Sequence, residues 1–292
     1  MSIPNTPVVN AGLSYVNGLN LIYQGGGSIV ATAKLVNMEP GQARDSTNTN
    51  DIILPEALDA NGDPIEDQYG NPVGAMINGA AIGANGCDLS AFSLTNLGGW
   101  AVYVIGSSGS NQPSAGLFSQ NQEVPILPAG YDMYRRVGYI RVLNVGGIPV
   151  IAQWYQEGQG EVRTYYYDLP VAQTVPLVSG ALPVVYTPWN LFAPPYADQL
   201  IVDVSFTPTA STDRVSFLPF GSPAAAANPG TARGCVVFGG GGISFASEST
   251  FLIPVTPELN LSGFLDPTVL VKVSATTNAL VVYVTGFVDL LE

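Results

Sequence analysis

The oxygen-rich run Asp59-Ala-Asn-Gly-Asp63, with Glu66 and Asp67 just beyond it, is a place where residue type and spacing suggest chemistry. Calcium takes carboxylate and amide oxygens at alternate loop positions, around a glycine that allows the sharp turn. Asp59, Asn61 and Asp63 have that alternation. The glycine, however, falls at the fourth position of the loop instead of the sixth, and no glutamate stands at the twelfth. A solvated turn built from Asp, Asn and Gly is the favoured reading, with calcium as the alternative.

Paired carboxylates hydrolyse glycosides. Here Asp198, Asp203, Asp213, Glu248, Glu258 and Asp266 are scattered through the second half with no spacing that pairs them. Surface and turn positions explain them more simply. The four glycines from Gly239 to Gly242 lack the Lys-Ser/Thr step or following helix of a phosphate-cradling loop. Ile-Ser-Phe follows, so a hairpin loop is expected. The chain has no histidine. The commonest general base and metal ligand is therefore missing, and Ser-His-Asp or Cys-His catalysis is excluded. The sequence predicts a chain that is not an enzyme and needs no cofactor.

Two groups of residues point instead to recognition. Trp154 and Tyr155 on one strand, with Tyr165, Tyr166 and Tyr167 on the next, form an aromatic cluster. Such residues are cross-strand pairs in a sheet and anchors at subunit interfaces; a sugar-stacking platform ranks behind both. Arg135 and Arg136 are the only adjacent basic pair among nine cations. Their setting predicts bidentate pairing with carboxylates, within the chain or across an interface.

The elements that must position these groups read as strands. Glycine (33) and proline (23) punctuate short apolar runs, and no capped stretch with helical spacing is evident. Strands are expected over 28–36, 51–54, 100–105, 136–143, 150–155 and 162–169. The second half adds 200–206, 214–219, 234–238, 249–254, 268–274 and 280–286. Segments 150–155 and 162–169 flank Glu157-Gly-Gln-Gly160 and read as one hairpin. The three prolines between Leu169 and Pro183 mark a linker, placing domains at 1–172 and 173–292. Two antiparallel β-sandwich domains, jelly-roll-like, are the expected all-β architecture. No strict repeat stands out. Residues 59–78 and 221–233 read as irregular loops.

Composition sets the remaining bounds. In 292 residues, 47% are hydrophobic and only 11% charged, against about 25% charged in an ordinary globular chain. So few charges solvate a large free surface poorly, which points to surface buried against neighbouring subunits. The net charge of −13, with no Lys/Arg cluster, disfavours nucleic acid and anionic membranes as partners. Repulsion from DNA suits the outside of a particle better than its lumen. The N-terminus has no basic n-region or apolar h-region, so synthesis in a cytoplasm without export is expected. Cys87 and Cys235 read as two buried free thiols, although a disulfide stays open.

The stretch from Leu127 to Ile140, with Tyr134-Arg135-Arg136-Val137-Gly138 at its centre, resembles a motif of tailed-bacteriophage virion structural proteins, in which a Tyr-Arg-Arg-[Ile/Val]-Gly phrase precedes a strand. Ile151 to Gly158 is similar to a later Phe-x-Gln-x-Gly-Asp phrase, loosely matched. Residues 43–54, 83–89 and 100–105 are also similar, as is the closing stretch from Val282 to Asp289. The resemblance covers most of residues 29–156 and implies a tail-fibre, head-fibre or decoration-type role on the virion exterior. It carries over no catalytic residue. The expected partners are the chain itself, as a homotrimer, and other capsid or tail proteins. A receptor-binding module for host-surface glycan is the alternative, and a polysaccharide depolymerase comes last.

Overall fold

The computed structural model describes residues 15–24, 34–109, 112–158, 160–167, 187–190, 197–207, 213–219, 235–238, 247–254, 256–259, 265–273 and 279–291. Every regular element among them is a strand. In chain order these are β1 (Val16–Gly18), β2 (Leu21–Tyr23), β3 (Leu35–Met38), β4 (Gly41–Arg44), β5 (Asp51–Leu54), β6 (Ala75–Asn78) and β7 (Gly86–Cys87). There follow β8 (Gly98–Gly106), β9 (Ala115–Ser119), β10 (Met133–Val145), β11 (Ile148–Ile151), β12 (Trp154–Glu157) and β13 (Val162–Tyr167). The remainder are β14 (Thr187–Asn190), β15 (Ala197–Thr207), β16 (Arg214–Pro219), β17 (Cys235–Phe238), β18 (Ser247–Pro254), β19 (Thr256–Leu259), β20 (Leu265–Val273) and β21 (Ala279–Leu290).

The chain is all-β, with several antiparallel sheets. One small sheet runs β1-β4-β5 and another β2-β3-β6. A five-stranded sheet has the order β11-β10-β8-β9-β7, in which the β7–β9 pair alone is parallel. A second has the order β12-β13-β21-β15-β18, and a third joins β14-β20-β16-β17 with β19 against β20. The long strands include runs rich in β-branched and aromatic residues, as in Trp100 to Ile105 or Ile201 to Phe206, which suit a pleated, packed surface.

Two expectations are corrected. Residues 150–155 are not one strand. β11 pairs with β10, Val142 opposite Ile151, whereas β12 pairs with β13, Tyr155 opposite Tyr166. The Ala152 amide still donates to the Arg141 carbonyl of β10 at 2.8 Å, and the chain leaves that sheet at Gln153, before β12 begins. The hairpin therefore joins β12 to β13, and β11 belongs to another sheet. The division at residue 172 also runs through a shared sheet. β21, near the end of the chain, lies between β13 and β15, so strands from either side of residue 172 hydrogen-bond side by side. One core cluster runs from Val16, Leu21 and Trp100 through Tyr165 to Phe206, Phe287 and Leu291, and a second, smaller one holds Ala101, Tyr103, Ile105, Ala115 and Leu117. The linker segment 169–183, the loop 221–233 and the glycine run 239–242 lie outside the described residues, as does most of the strand expected at 28–36.

Candidate functional site

The two adjacent arginines are placed by a β-bulge. Along β10 the pairing with β8 slips between Arg136 and Gly138, which leaves Val137 unpaired. Arg135 and Arg136 both reach the end of β21. Arg135 Nη2 donates to the Leu291 carbonyl at 3.1 Å. Arg136 Nη1 donates to both Asp289 carboxylate oxygens, at 2.9 and 2.7 Å, and its Nη2 donates to the Leu290 carbonyl at 3.0 Å. The bulged Val137 turns its carbonyl to Arg163 Nη1 at 2.6 Å. Arg163 also donates to the carbonyls of Leu19, Gly18 and Gly160, at 2.8, 2.7 and 3.2 Å, from a fully buried position. Gly138 is required here: a Cβ would collide with the Tyr165 hydroxyl and with Leu21 Cδ1. Burial pushes the Asp289 carboxyl above its usual range, against the pull of Arg136, whose guanidinium stays charged beside it. The predicted arginine–carboxylate pairing is thus realised for Arg136 within the chain, where it fastens the closing strand to the first half.

The acidic loop is a pair of tight turns. Asp59 Oδ1 accepts the amides of Asn61 and Asp63 at 2.8 and 2.9 Å, while Asn61 Nδ2 donates to Oδ2 at 3.2 Å. Eight residues later Asp67 accepts Tyr69 and Asn71 in the same manner, both at 2.8 Å, with Asn71 Nδ2 on Oδ2 at 3.2 Å. Gly62 and Gly70 take φ of +87° and +82°, and each copy ends in proline. The copies close on each other: Ile65 N donates to Ala57 O, Val73 N to Ile65 O, and Ala57 N to Val73 O. The turns are therefore the two arms of a repeat with period eight. At Asp59, Asn61 and Asp63 the geometry is that of a turn built from Asp, Asn and Gly, with the Asp59 carboxylate as the cap of its own turn. Those amide donors hold it below the ordinary carboxylate range.

The second arm carries Tyr69 to the mouth of a pocket of about 340 Å³, lined by Leu21 to Tyr23 of β2, Gln153, and Trp154 to Gln156 of β12. Tyr69 and Tyr155 are 65% and 51% exposed. The Tyr155 ring is held from behind by Tyr166, its cross-strand partner, with centroids 4.9 Å apart and planes at 17°. Gln156 is fixed as well: its Oε1 accepts the Leu21 amide at 3.2 Å and its Nε2 donates to Asn20 Oδ1 at 3.1 Å. Trp154 Nε1 and the Tyr23 hydroxyl, both buried, have no hydrogen-bond partner among the described residues. Burial raises the Tyr23 phenol above its usual value.

The period of two sorts the remaining candidates. Trp154, Tyr165 and Arg135 are 4%, 1% and 4% exposed. They lie in the core: Tyr165 stacks on Phe287 at 4.6 Å and meets Trp154 edge-on at 5.6 Å. Tyr167 is half-buried against the same core and Tyr166 lies behind Tyr155. Tyr155 and its cross-strand partner Tyr166 share the face opposite to that of Trp154 and Tyr165, and Tyr155 is the more exposed of the two. Of the carboxylates considered for glycoside chemistry, Asp198 and Asp203 lie on β15 and Glu248 on the neighbouring β18, where Asp203 is opposite Thr250 and Glu248 opposite Ser205. Register alone sets Glu258 opposite Asp266. Sequence reasoning passed over Arg163, Asp289, Tyr23, Tyr69, Gln153 and Gln156. A lone carboxylate in the apolar run from Leu280 to Leu290, and the alternation Arg163-Thr-Tyr165-Tyr-Tyr167, were signals for the first two. Cys87 is a buried free thiol, and the side chain of Cys235 lies outside the described residues.

No family model and no curated protein matches the chain. Among solved structures, "Structure of infectious bursal disease virus Gx strain" aligns over 97% of this chain and 69% of its own, with a TM-score of 0.22 and 10% identity.

Proposed function

We propose that the chain is a non-enzymatic structural protein of a tailed-bacteriophage virion: an exterior accessory subunit of the decoration, head-fibre or tail-fibre kind, acting by protein–protein assembly. The observation that carries this reading is an apolar outward surface on a charge-poor chain. Ile53, Met76, Ile148, Val162 and Leu252 sit on outward faces of strands and are each more than a third exposed. Single exposed apolar residues are ordinary. With charged residues at 11%, a surface of this kind is better matched to subunit contact than to bulk water. The resemblance around Tyr134 to Gly138 supports the virion setting, and the inward use of those arginines fits a motif kept for strand anchoring instead of catalysis. A jelly-roll-like pairing of the sheets and a closed trimer are the finer parts of the proposal.

Light scattering coupled to size exclusion tests the assembly step. A mass near three chains supports the proposal. A single-chain mass at every concentration, together with no binding to purified capsid or tail proteins, overturns it.

A further inference from the structure

We propose that the pocket between β2, β12 and the Tyr69 turn binds a neutral saccharide ring. Its lining residues are Leu21, Ile22, Tyr23, Tyr69, Gln153, Trp154, Tyr155 and Gln156, none of which is charged. In a chain of net charge −13, an uncharged pocket disfavours both an anionic and a cationic ligand. Its volume, about 340 Å³, lies at the small end of the roughly 300–1,000 Å³ of ligand sites, which fits one or two sugar units.

The stereochemistry of the wall fits the same ligand class. A pyranose presents an apolar C–H face and a rim of hydroxyls. Tyr155 offers an exposed ring that Tyr166 already holds in place, so little freedom is lost on stacking. Tyr69 offers a second exposed ring, on a turn pinned by three hydrogen bonds to the Asp67 carboxylate. The hydroxyl rim needs donors and acceptors. Gln153 and Gln156 contribute side-chain amides to the lining. A proline-rich peptide also docks in aromatic grooves, but it brings one carbonyl per residue and no hydroxyl rim. Side-chain amides beside two exposed rings favour the sugar.

The inference does not depend on the assembly reading, because sugar binding and oligomer mass are measured separately. The test is a titration of the ¹⁵N-labelled full chain with the methyl glycosides of glucose, galactose, mannose and N-acetylglucosamine. The indole N–H of Trp154 is the reporter. That of Trp100, which donates to the Asn96 carbonyl at 3.1 Å, is the internal control. The expected result is a saturable shift of the Trp154 signal by at least one glycoside, with roughly millimolar affinity and a still Trp100 signal. Tyr155→Ala and Tyr69→Ala each weaken that binding about tenfold or more, the scale of one lost stacking contact. No shift with any of the four overturns the proposal. So does a shift that survives both variants, or one produced only by a proline-rich peptide. If a variant fails to fold, the wild-type pattern of Trp154 against Trp100 still decides.

Discussion

Replacing Asp289 with asparagine keeps the shape of the side chain and removes the charge that faces Arg136. Asp289 is fully buried and the Arg136 side chain is 12% exposed, so water replaces little of what is lost. At about 4 Å and an effective dielectric of about 20, the attraction is on the order of 4 kcal/mol. Removing one member of a buried pair costs about 3–5 kcal/mol, because the other is left as an uncompensated charge. Arg136 keeps its contact to the Leu290 carbonyl, which places the expected loss near the lower end, about 3 kcal/mol. The corresponding fall in Tm is roughly 5–10 °C for a chain of this length. The assay is urea unfolding followed by near-UV circular dichroism, at fixed chain concentration because assembly shifts apparent stability. The companion is the double variant Arg136→Met with Asp289→Leu, expected to recover most of the loss since an apolar pair leaves no orphaned charge. A cost below about 1 kcal/mol for Asp289→Asn, or a double variant as unstable as the sum of the singles, refutes the strand-anchor argument.

Arg163→Lys, which offers three donors in place of the planar fork now spread over four carbonyls, is expected to cost about 2–3 kcal/mol in the same assay; a neutral result contradicts the account. Burial, aided by the charge of Asp88, pushes the Cys87 thiol up to about 12. At pH 8 only about one molecule in ten thousand then carries a thiolate, and peptide-resolved alkylation should find Cys87 unmodified until the chain is unfolded. Burial of Asp45 works to raise its carboxyl, but the amides of Asn50 and Thr49 and the Thr47 hydroxyl outweigh it and hold the group below its usual range. A lowered folded pKa contributes stability above the unfolded value, which is lost as pH falls through the folded one. Asp45→Asn should therefore cost about 1–2 kcal/mol near neutrality, with the gap to wild type closing in acid. A gap that is constant with pH contradicts the assigned role.

The strands that were legible are those written in long β-branched and aromatic runs. The expectation over 51–54 coincides with β5 and that over 214–219 with β16, while 100–105, 136–143 and 200–206 lie within β8, β10 and β15. β2, β4, β6 and β7 were not, being two to four residues long and set by partners distant in sequence, a distance that local pattern does not encode. The domain boundary failed for the same reason. Prolines after Tyr167 resemble a linker, but nothing local reveals that β21 returns to pair with β13. The paired turns were visible as Asp-x-x-Gly-[Asp/Asn]-Pro at a spacing of eight, and attention to metal-ligand positions obscured the repeat. Within the candidate site, the aromatic cluster was found but its faces were not. The two-residue period turns Trp154 and Tyr165 inward and leaves Tyr155 out, and Tyr69 reaches the pocket through tertiary contact alone.

The central claim is that this chain is an assembled part of the outside of a virion. Immunogold electron microscopy of intact, purified particles, with antibody raised against the whole chain, tests it most directly. The account predicts label on the particle exterior, over the head for a decoration or head-fibre subunit and on the tail for a tail-fibre subunit, with the chain present in the particles' mass spectrum. Unlabelled particles from which the chain is absent by mass spectrometry would contradict it.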